Sequence, residues 1–256
     1  MPATEVEIDT VLFDMDGTLL DSTPAVNSTW KEYADQYHLD MDELLHNAHG
    51  HRTIENLARY IPGLKGSKLE AEVKRFESRI LEIAEEKINQ SETLVQEEAI
   101  LEGGIVPLPG AKELIDQINA GKQANPARRA GWAIVTSATS AYAQRAYQLA
   151  GLGTPPTVFV TGDMVANGKP APEPYERAAA LSQVADIHRC LVVEDAPPGV
   201  TSGKAAGAYV LGLETTHDGR RMWANGANWV VKDLSKVQAR WEGDKLILTI
   251  DSEPHP

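Results

Sequence analysis

Two aspartates spaced one residue apart, Asp14 and Asp16, directly follow the apolar run Thr10–Phe13 and precede Gly17. The run is typical of a buried strand, and the glycine permits a tight turn after it, so both carboxylates should lie at the end of that strand. An ionised carboxylate can attack phosphorus to give an acyl phosphate, and a second carboxyl group can protonate the leaving oxygen and later accept a proton from water. The spacing therefore predicts a site for phosphoryl transfer.

The acidity of this site, and of the whole chain with its formal net charge of -13, would repel a phosphate dianion. At about 4 Å, each pair of unit charges interacts by on the order of 4 kcal/mol when the effective dielectric constant is about 20. A divalent cation would remove that repulsion, and oxygen ligands beside a phosphate favour Mg²⁺. Glu194 and Asp195 follow a second apolar run, 190–193, and supply further carboxylates for the ion.

Three more residues close to predicted strand ends could bind phosphate. Lys169 can neutralise charge, the Ser137 hydroxyl can donate a hydrogen bond, and the backbone N–H of Ala138 can donate another where a helix begins. Taken singly, each feature has an ordinary structural explanation, such as a turn, a helix cap, a surface lysine or a solvated acidic pair. Their common place at the carboxyl ends of successive predicted strands, or in the loop between them, favours the functional interpretation.

The elements that must position these residues alternate along the chain. Apolar runs predict strands at 10–13, 132–135, 158–160, 190–193 and 209–212, and helical spacing predicts helices at 111–120, 141–150, 174–181 and 200–206. A last strand is predicted at 245–250. This alternation is typical of βαβ units, so we expect an α/β fold with a Rossmann-like parallel sheet core.

The segment 22–103 interrupts this alternation. It has apolar residues at helical spacing over 24–39, 42–60 and 67–94 and no convincing strand. We expect an inserted helical cap domain of residues 22–103 over the carboxyl edge of a core formed by residues 1–21 and 104–256, because ligands bind at that edge of parallel sheets. The stretch 121–131 lacks periodicity and is predicted to be a surface loop.

Composition restricts the classes of partner. The acidic balance argues against nucleic acid, no apolar run is long enough to span a bilayer, and the amino terminus lacks the pattern of a secretory signal. The single cysteine, Cys190, lies in an apolar run and is predicted to be a buried structural thiol. We expect a cytoplasmic monomer or weak homodimer with no nucleic-acid or membrane partner.

The motifs together resemble those of the haloacid dehalogenase superfamily, and the segment 22–103 resembles that family's helical type-one cap. The residues that carry the resemblance are Asp14-Met15-Asp16-Gly17-Thr18, Ser137, Lys169 and Glu194-Asp195. Longer runs resemble fungal glycerol phosphatases and 2-deoxyglucose-6-phosphatases: GKPAPEPY at 168–175, EDAPPG at 194–199 and HGHRT at 49–53. The resemblance implies a magnesium-dependent phosphatase that acts on a small phosphorylated sugar or polyol.

The resemblance also implies individual roles. Asp14 would be the nucleophile and Asp16 the general acid and base. Mg²⁺ would be held by Asp14, the backbone carbonyl of Asp16 and Asp195, with Glu194 acting from behind the direct ligands. The dehalogenase branch of the superfamily lacks the second aspartate, so Asp16 argues for phosphoryl transfer.

Two residues of the predicted cap, His49 and Arg52, lie near a glycine that could close a loop over the site. An arginine there could bind a hydroxyl or phosphate of the substrate, whereas a histidine at a helix end is more often a surface residue. The family resemblance favours a substrate-binding role for both.

Two other functions stay open at the level of sequence. A sugar phosphomutase on the same scaffold would use the same aspartates but pass the phosphoryl group to a second sugar phosphate. A binding module could retain the fold without turnover, although every catalytic position is filled here.

Overall fold

Eleven strands are present in the computed structural model, which describes residues 3–91, 104–125 and 131–255. In chain order they are β1 Thr4–Ile8, β2 Thr10–Phe13, β3 Leu20–Asp21, β4 Val106–Pro107, β5 Trp132–Val135, β6 Phe159–Val160, β7 Cys190–Glu194, β8 Tyr209–Leu213, β9 Trp229–Val231, β10 Val237–Glu242 and β11 Lys245–Ile250. Six of them form a parallel sheet in the order β6-β5-β2-β7-β8-β9. The predicted α/β fold with a parallel sheet core is therefore confirmed.

The α-helices of the described ranges are α1 Thr23–Tyr37, α2 Met41–Asn47, α3 Thr53–Tyr60, α4 Ser67–Ser91, α5 Ala111–Ala124, α6 Ser140–Leu149, α7 Glu173–Leu181, α8 Pro197–Ala206 and α9 Gly219–Ala224. Helices α1–α4 follow one another directly, and the others alternate with the strands of the parallel sheet. Within these ranges, no helix combines the length and the apolarity that a bilayer crossing requires.

Strand β2 lies in the middle of the parallel sheet and is buried along its whole length. A strand covered on both faces loses contact with water everywhere, which explains its continuous apolar sequence. Phe13 pairs in register with Ile134 of β5 and Val193 of β7, so the three strands end level with one another. Their register brings the residues that follow each strand to one edge of the sheet. Cys190 is fully buried, as predicted.

A second sheet is antiparallel and has the order β1-β11-β10. The sequence interpretation anticipated β11 but missed β1, whose alternating burial turns Val6 and Ile8 inward. A strand of five residues with two apolar positions gives a weak sequence pattern. Its pairing with β11, which is far away in the sequence, leaves no local pattern either. The helix α9 and the strand β9 were missed as well.

Helices α1–α4, which we call the helical block, lie between β3 and β4. These two short strands pair antiparallel, with Leu20 opposite Pro107 and Asp21 opposite Val106. The block has its own aromatic centre, where the ring centroids of Trp30 and Phe76 lie 4.5 Å apart. The division into a core and a cap stays a prediction; the paired strands at the base of the block are consistent with it.

Two sequence predictions about local structure were wrong. Residues 42–60 form two helices, because Gly50 has a φ of 81° and Arg52 has extended backbone at the N-cap of α3. Residues 121–124 belong to α5 and not to a loop. Residues 126–130 of that predicted loop, and 92–94 of the third predicted helix, lie outside the described residues.

Helix α5 packs against β10 through Gly121, and this contact yields a stability prediction. A Cβ at Gly121 would lie 2.1 Å from the indole of Trp241, whose Nε1 donates a hydrogen bond to the carbonyl of Ile118 at 3.0 Å. Glycine to alanine in a helix normally stabilises by about 0.5–1 kcal/mol, but overpacking costs about 1–3 kcal/mol. We expect Gly121→Ala to lower the free energy of unfolding in urea titrations.

The matched control is the same substitution in a Trp241→Ala background, where the obstructing ring is absent. There Gly121→Ala should stabilise, in line with helix propensity. Stabilisation by Gly121→Ala in the wild-type background would contradict the steric argument.

Candidate active site

Asp14 is the first residue after β2, and only 8 % of its surface is exposed. Its Oδ1 accepts a hydrogen bond from the Nζ of Lys169 at 2.5 Å, and Nζ also donates to the backbone carbonyl of Val135 at 2.8 Å. Lys169 is 2 % exposed, so it is a buried cation and not a surface lysine. The structure therefore brings the predicted nucleophile and the predicted lysine into direct contact.

The same ammonium group lies 2.6 Å from Oε1 of Glu194, the last residue of β7. The hydroxyl of Tyr175 donates to that oxygen at 2.6 Å. Burial lowers the pKa of Lys169, but the carboxylates of Asp14 and Glu194 outweigh burial and raise it. Lys169 is thus positively charged and joins two acidic residues from different strands.

Asp195 lies beside Glu194 and is held by two threonines. Its Oδ1 accepts from the Thr18 hydroxyl at 2.9 Å, and the Thr216 hydroxyl donates to Oδ2. Burial, followed by the charge of Glu194, raises the pKa of Asp195 to about 7. The hydroxyls fix the carboxylate but do not supply the positive charge that would offset its burial.

Gly17 permits this close approach of two loops. A Cβ at this position would lie 2.3 Å from Oδ2 of Asp195, and the φ of Gly17 is 83°. Both the space and the backbone conformation exclude a larger residue here.

The three carboxylates could hold a metal ion. Asp14, Glu194 and Asp195 each offer one oxygen, and these oxygens lie within 4.8 Å of one another. Burial raises the pKa of Asp14 well above its usual range, with Lys169 acting in the opposite direction and the neighbouring acids adding to the rise. A cluster of buried oxygen donors short of positive charge fits a hard divalent cation. Because Glu194 already binds Lys169 and Tyr175, Asp14 and Asp195 are better placed as direct ligands.

Asp16 is not part of this cluster of carboxylates. Its Oδ1 accepts from the hydroxyl of Ser22 at 2.7 Å and from that of Tyr142 at 2.8 Å. Burial raises the pKa of Asp16, while both hydroxyls and Lys169 lower it. A raised pKa suits a general acid, and two donors on one oxygen fix the orientation of the group. A role of the Asp16 backbone carbonyl in metal binding stays a prediction.

Ser137 and Ala138 follow β5 at the same edge of the sheet. The Ser137 hydroxyl donates to the carbonyl of Gly50 in the helical block at 2.9 Å, and the N–H of Ala138 donates to the Thr136 hydroxyl at 3.1 Å. Both residues line the cavity described next. Their phosphate-binding roles stay predictions, and a bound phosphate would replace these partners.

A cavity of about 110 Å³, which we call the central cavity, separates this edge of the sheet from the helical block. Asp14, Asp16 and Asp195 lie on the side of the sheet. The facing side chains from the block are mainly apolar and include Val26, Trp30, Leu44, Phe76 and Ile80, with the polar Thr53, Asn56, Glu77, His49 and His51 among them. Acidic groups at one end and a mixed surface at the other suit a small molecule with a phosphate and an aliphatic or hydroxylated part.

The two predicted substrate-binding residues of the block are placed differently. His49 lines the central cavity, and burial lowers its pKa. Arg52 is absent from the described lining. Its guanidinium donates to the carbonyls of Gly162 at 3.4 Å and Val165 at 3.2 Å and pairs with Glu55 at 2.5 Å. In this arrangement Arg52 joins the block to a loop of the core; substrate binding by it stays a prediction.

Sequence reasoning missed several residues of the site. These are Thr18, Glu77, Tyr142, Tyr175 and Thr216. Thr18 and Tyr175 lie inside the sequence runs that carried the family resemblance and could have been assigned from their place there. Glu77, Tyr142 and Thr216 have no local signal, because only the tertiary fold brings them to the site.

Comparison with known proteins gives a consistent result. The family model "haloacid dehalogenase-like hydrolase" matches residues 8–207. The chain is 37% identical to hexitol phosphatase A of Escherichia coli over 238 residues, which cover 92% of this chain and 97% of that protein. It is 32% identical to 2-deoxyglucose-6-phosphate phosphatase 2 of Saccharomyces cerevisiae, with 91% of each chain covered. It is 28% identical to glycerol-1-phosphate phosphohydrolase 2 of the same yeast, with 91% of this chain and 85% of that protein covered.

The pKa of Asp195 leads to a prediction about stability. Between its ordinary value of 3.8 and its folded value of about 7, the folded state binds more protons than the unfolded state, so the free energy of unfolding falls as the pH rises. We expect the free energy of unfolding of wild type in EDTA, measured by urea titration, to fall between about pH 5 and pH 8. The fall should exceed that of Asp195→Asn by on the order of 1–3 kcal/mol.

At the upper end of the pH range, added Mg²⁺ should stabilise wild type more than Asp195→Asn, because a metal ion requires the ionised carboxylate. The exposed Glu70→Gln serves as the control for removal of one acidic charge. Equal pH dependence of wild type and Asp195→Asn in EDTA would contradict the assignment.

Proposed function

This chain belongs to the haloacid dehalogenase-like hydrolase family, and we propose that it hydrolyses phosphate monoesters of small sugars or polyols through a phospho-aspartate intermediate. The resemblance inferred from the sequence motifs is confirmed by the family match over residues 8–207. One observation carries the proposed chemistry: Asp14 is bound by the buried Lys169 and lines a cavity that Asp16 lines as well.

In the first step, Asp14 attacks phosphorus. Lys169 binds Oδ1, which leaves Oδ2 for the new bond to phosphorus. The bond between phosphorus and the ester oxygen breaks, and Asp16 donates its proton to that oxygen so that the alcohol leaves neutral. Ser22 and Tyr142 hold Asp16 through its Oδ1, which keeps its other oxygen for the proton transfer.

In the second step, water attacks the phosphorus of the phospho-aspartate. Asp16, now a carboxylate, accepts the proton of this water, and the bond between phosphorus and Asp14 breaks. Inorganic phosphate leaves, and both aspartates return to their starting state. In this proposal the Ser137 hydroxyl and the Ala138 N–H, which line the central cavity, would exchange their present acceptors for the phosphate oxygens.

We propose Mg²⁺ as the cofactor, with Asp14, the backbone carbonyl of Asp16 and Asp195 as its ligands. When bound, the ion would neutralise the phosphate and lower the repulsion between it and the carboxylates. The buried oxygen cluster supports this proposal. Glu194 would act behind the ligands, because Lys169 and Tyr175 already occupy its carboxylate.

The substrate class rests on the relatives and on the central cavity. Proteins named for hexitol, 2-deoxyglucose-6-phosphate and glycerol-1-phosphate cover most of this chain. The polar and apolar groups that the helical block contributes to the cavity are compatible with such molecules. Cytoplasmic location, the monomer or weak homodimer, and the lack of nucleic-acid or membrane partners stay predictions.

A direct test compares wild type with Asp14→Asn. We expect wild type to release inorganic phosphate from at least one member of a panel of hexitol, hexose, deoxyhexose and glycerol phosphates in the presence of Mg²⁺. Asp14→Asn should lose this activity at unchanged melting temperature, and EDTA should abolish it in wild type. Beryllium fluoride with Mg²⁺ should inhibit, because it mimics a phosphorylated aspartate.

The same panel separates the other two functions. A phosphomutase would form an isomer of the sugar phosphate without free phosphate. A binding module would show no turnover for either protein. Either result would contradict the proposed hydrolysis.

The role of Asp16 can be tested with two leaving groups. A p-nitrophenolate needs no proton to leave, whereas an alkoxide does, and general acid–base catalysis is worth about 10²–10⁴ in rate. With Asp16→Asn, we expect p-nitrophenyl phosphate to give a rapid burst of about one phenolate per enzyme followed by slow turnover. A polyol phosphate should give no burst. An equal slowing of the first step for both substrates would exclude Asp16 as the acid.

A further inference from the structure

A buried carboxylate of the helical block, Glu77 on α4, lines the central cavity and has no role in the steps above. Only 4 % of its surface is exposed. Its Oε1 accepts from the Thr53 hydroxyl at 2.9 Å and from the backbone N–H of Thr139 at 3.2 Å, and the Thr139 hydroxyl donates to Oε2. Burial raises the pKa of Glu77, and the hydrogen bonds from Thr139 and Thr53 act in the opposite direction by stabilising the ionised carboxylate.

Thr139 is the N-cap residue of α6, a helix of the core. Glu77 therefore places a negative charge at the amino end of a ten-residue helix, where the unpaired N–H groups and the helix dipole favour an anion. Because hydrogen bonds from both the block and the core hold it, this charge is fixed at the cavity wall and cannot turn away from a ligand.

Positive charge is missing from the same wall. Among the cavity-lining residues that the structure describes, none is lysine or arginine. Lys169 lies beneath Asp14 and is bound by Asp14 and Glu194, and the guanidinium of Arg52 faces Glu55 and the carbonyls of Gly162 and Val165.

The histidines of the lining do not supply the missing charge. Burial lowers the pKa of His49. Burial is also the largest effect on His51 and lowers its pKa, although Glu55 acts in the opposite direction. Both imidazoles therefore favour the neutral form at pH 7. The part of the substrate that lies beyond the reacting phosphate meets Glu77, neutral polar groups and apolar side chains. A second phosphate there would lie in a buried space beside a fixed negative charge, without a cation to offset it.

We infer that the central cavity accepts esters with one phosphate and an uncharged, hydroxyl-bearing remainder, and that Glu77 excludes a second anionic group. This inference rests on the proposed function and assigns Glu77 as a specificity residue. Exclusion of bisphosphates also disfavours the mutase alternative, because transfer to a second sugar phosphate passes through a bisphosphate.

The test uses the best monophosphate of the substrate panel and the bisphosphate that differs from it by one phosphate. Fructose 6-phosphate and fructose 1,6-bisphosphate are one such pair. The selectivity is the ratio of kcat/KM for the monophosphate to that for the bisphosphate, measured by phosphate release. We expect Glu77→Gln, which keeps the shape and removes the charge, to lower this ratio by about tenfold or more. Unchanged selectivity in Glu77→Gln would overturn the inference.

Two control variants separate charge from other effects. Glu70→Gln removes a charge from an exposed position of the same helix and should leave the ratio unchanged. Thr139→Val removes a hydroxyl donor to Glu77 but keeps the carboxylate. If Thr139→Val lowered the selectivity as much as Glu77→Gln does, the loss would come from the weakened contact between block and core. That result would overturn the role of the Glu77 charge.

Binding to Asp14→Asn by calorimetry tests the inference without turnover and without any change at Glu77. The monophosphate should bind more tightly than its bisphosphate by tenfold or more, and equal or tighter binding of the bisphosphate would overturn the inference. This outcome is distinct from failure of the proposed function, in which wild type releases no phosphate from any monophosphate of the panel. Melting temperatures of all variants show whether each protein is folded.

Discussion

The ion pairs that Lys169 makes with Asp14 and Glu194 are the interaction on which the site depends. They join the residue after β2, the loop after β6 and the end of β7, three places far apart in the chain. Moving a charged group from water into the protein interior costs free energy, and one cation between two carboxylates compensates only part of that cost. Burial, together with the neighbouring carboxylates, raises the pKa values of Asp14 and Asp195, and the same shortage of positive charge makes the site suitable for a metal ion. The same charges that would destabilise an empty site therefore prepare it for a cation and a phosphate.

Most of the sheet and its edge could be predicted from the sequence. Apolar runs such as Thr10–Phe13 give a strong signal, because a strand buried on both faces has no polar positions. Once the strands are known, their level carboxyl ends place Asp14 and Glu194 together, and Lys169 reaches both from the loop after β6. Contacts made across the fold left no such pattern. The bond from Thr216 to Asp195 and the place of Glu77 beside Thr139 depend on loops and helices whose positions are set by tertiary packing.

Arg52 shows that the place of a residue in the sequence does not determine the contacts of its side chain. The sequence places it two residues after Gly50, and the substrate contact that the resemblance implies stays a prediction. The extended backbone at Arg52 begins α3, and Glu55 and two carbonyls of the core bind the side chain. The direction of a side chain at a helix end is decided by one or two backbone dihedrals, which composition and periodicity do not determine.

The short ladder between β3 and β4 has a structural consequence. Leu20 pairs with Pro107 and Asp21 with Val106, so the two chain segments that enter and leave the helical block run side by side. The chain therefore leaves the core and returns to it at neighbouring points, and Asp14 lies before the first of them, directly after β2. The sequence of the helical block could accordingly change without altering the register of the parallel strands, which is what fixes the position of Asp14.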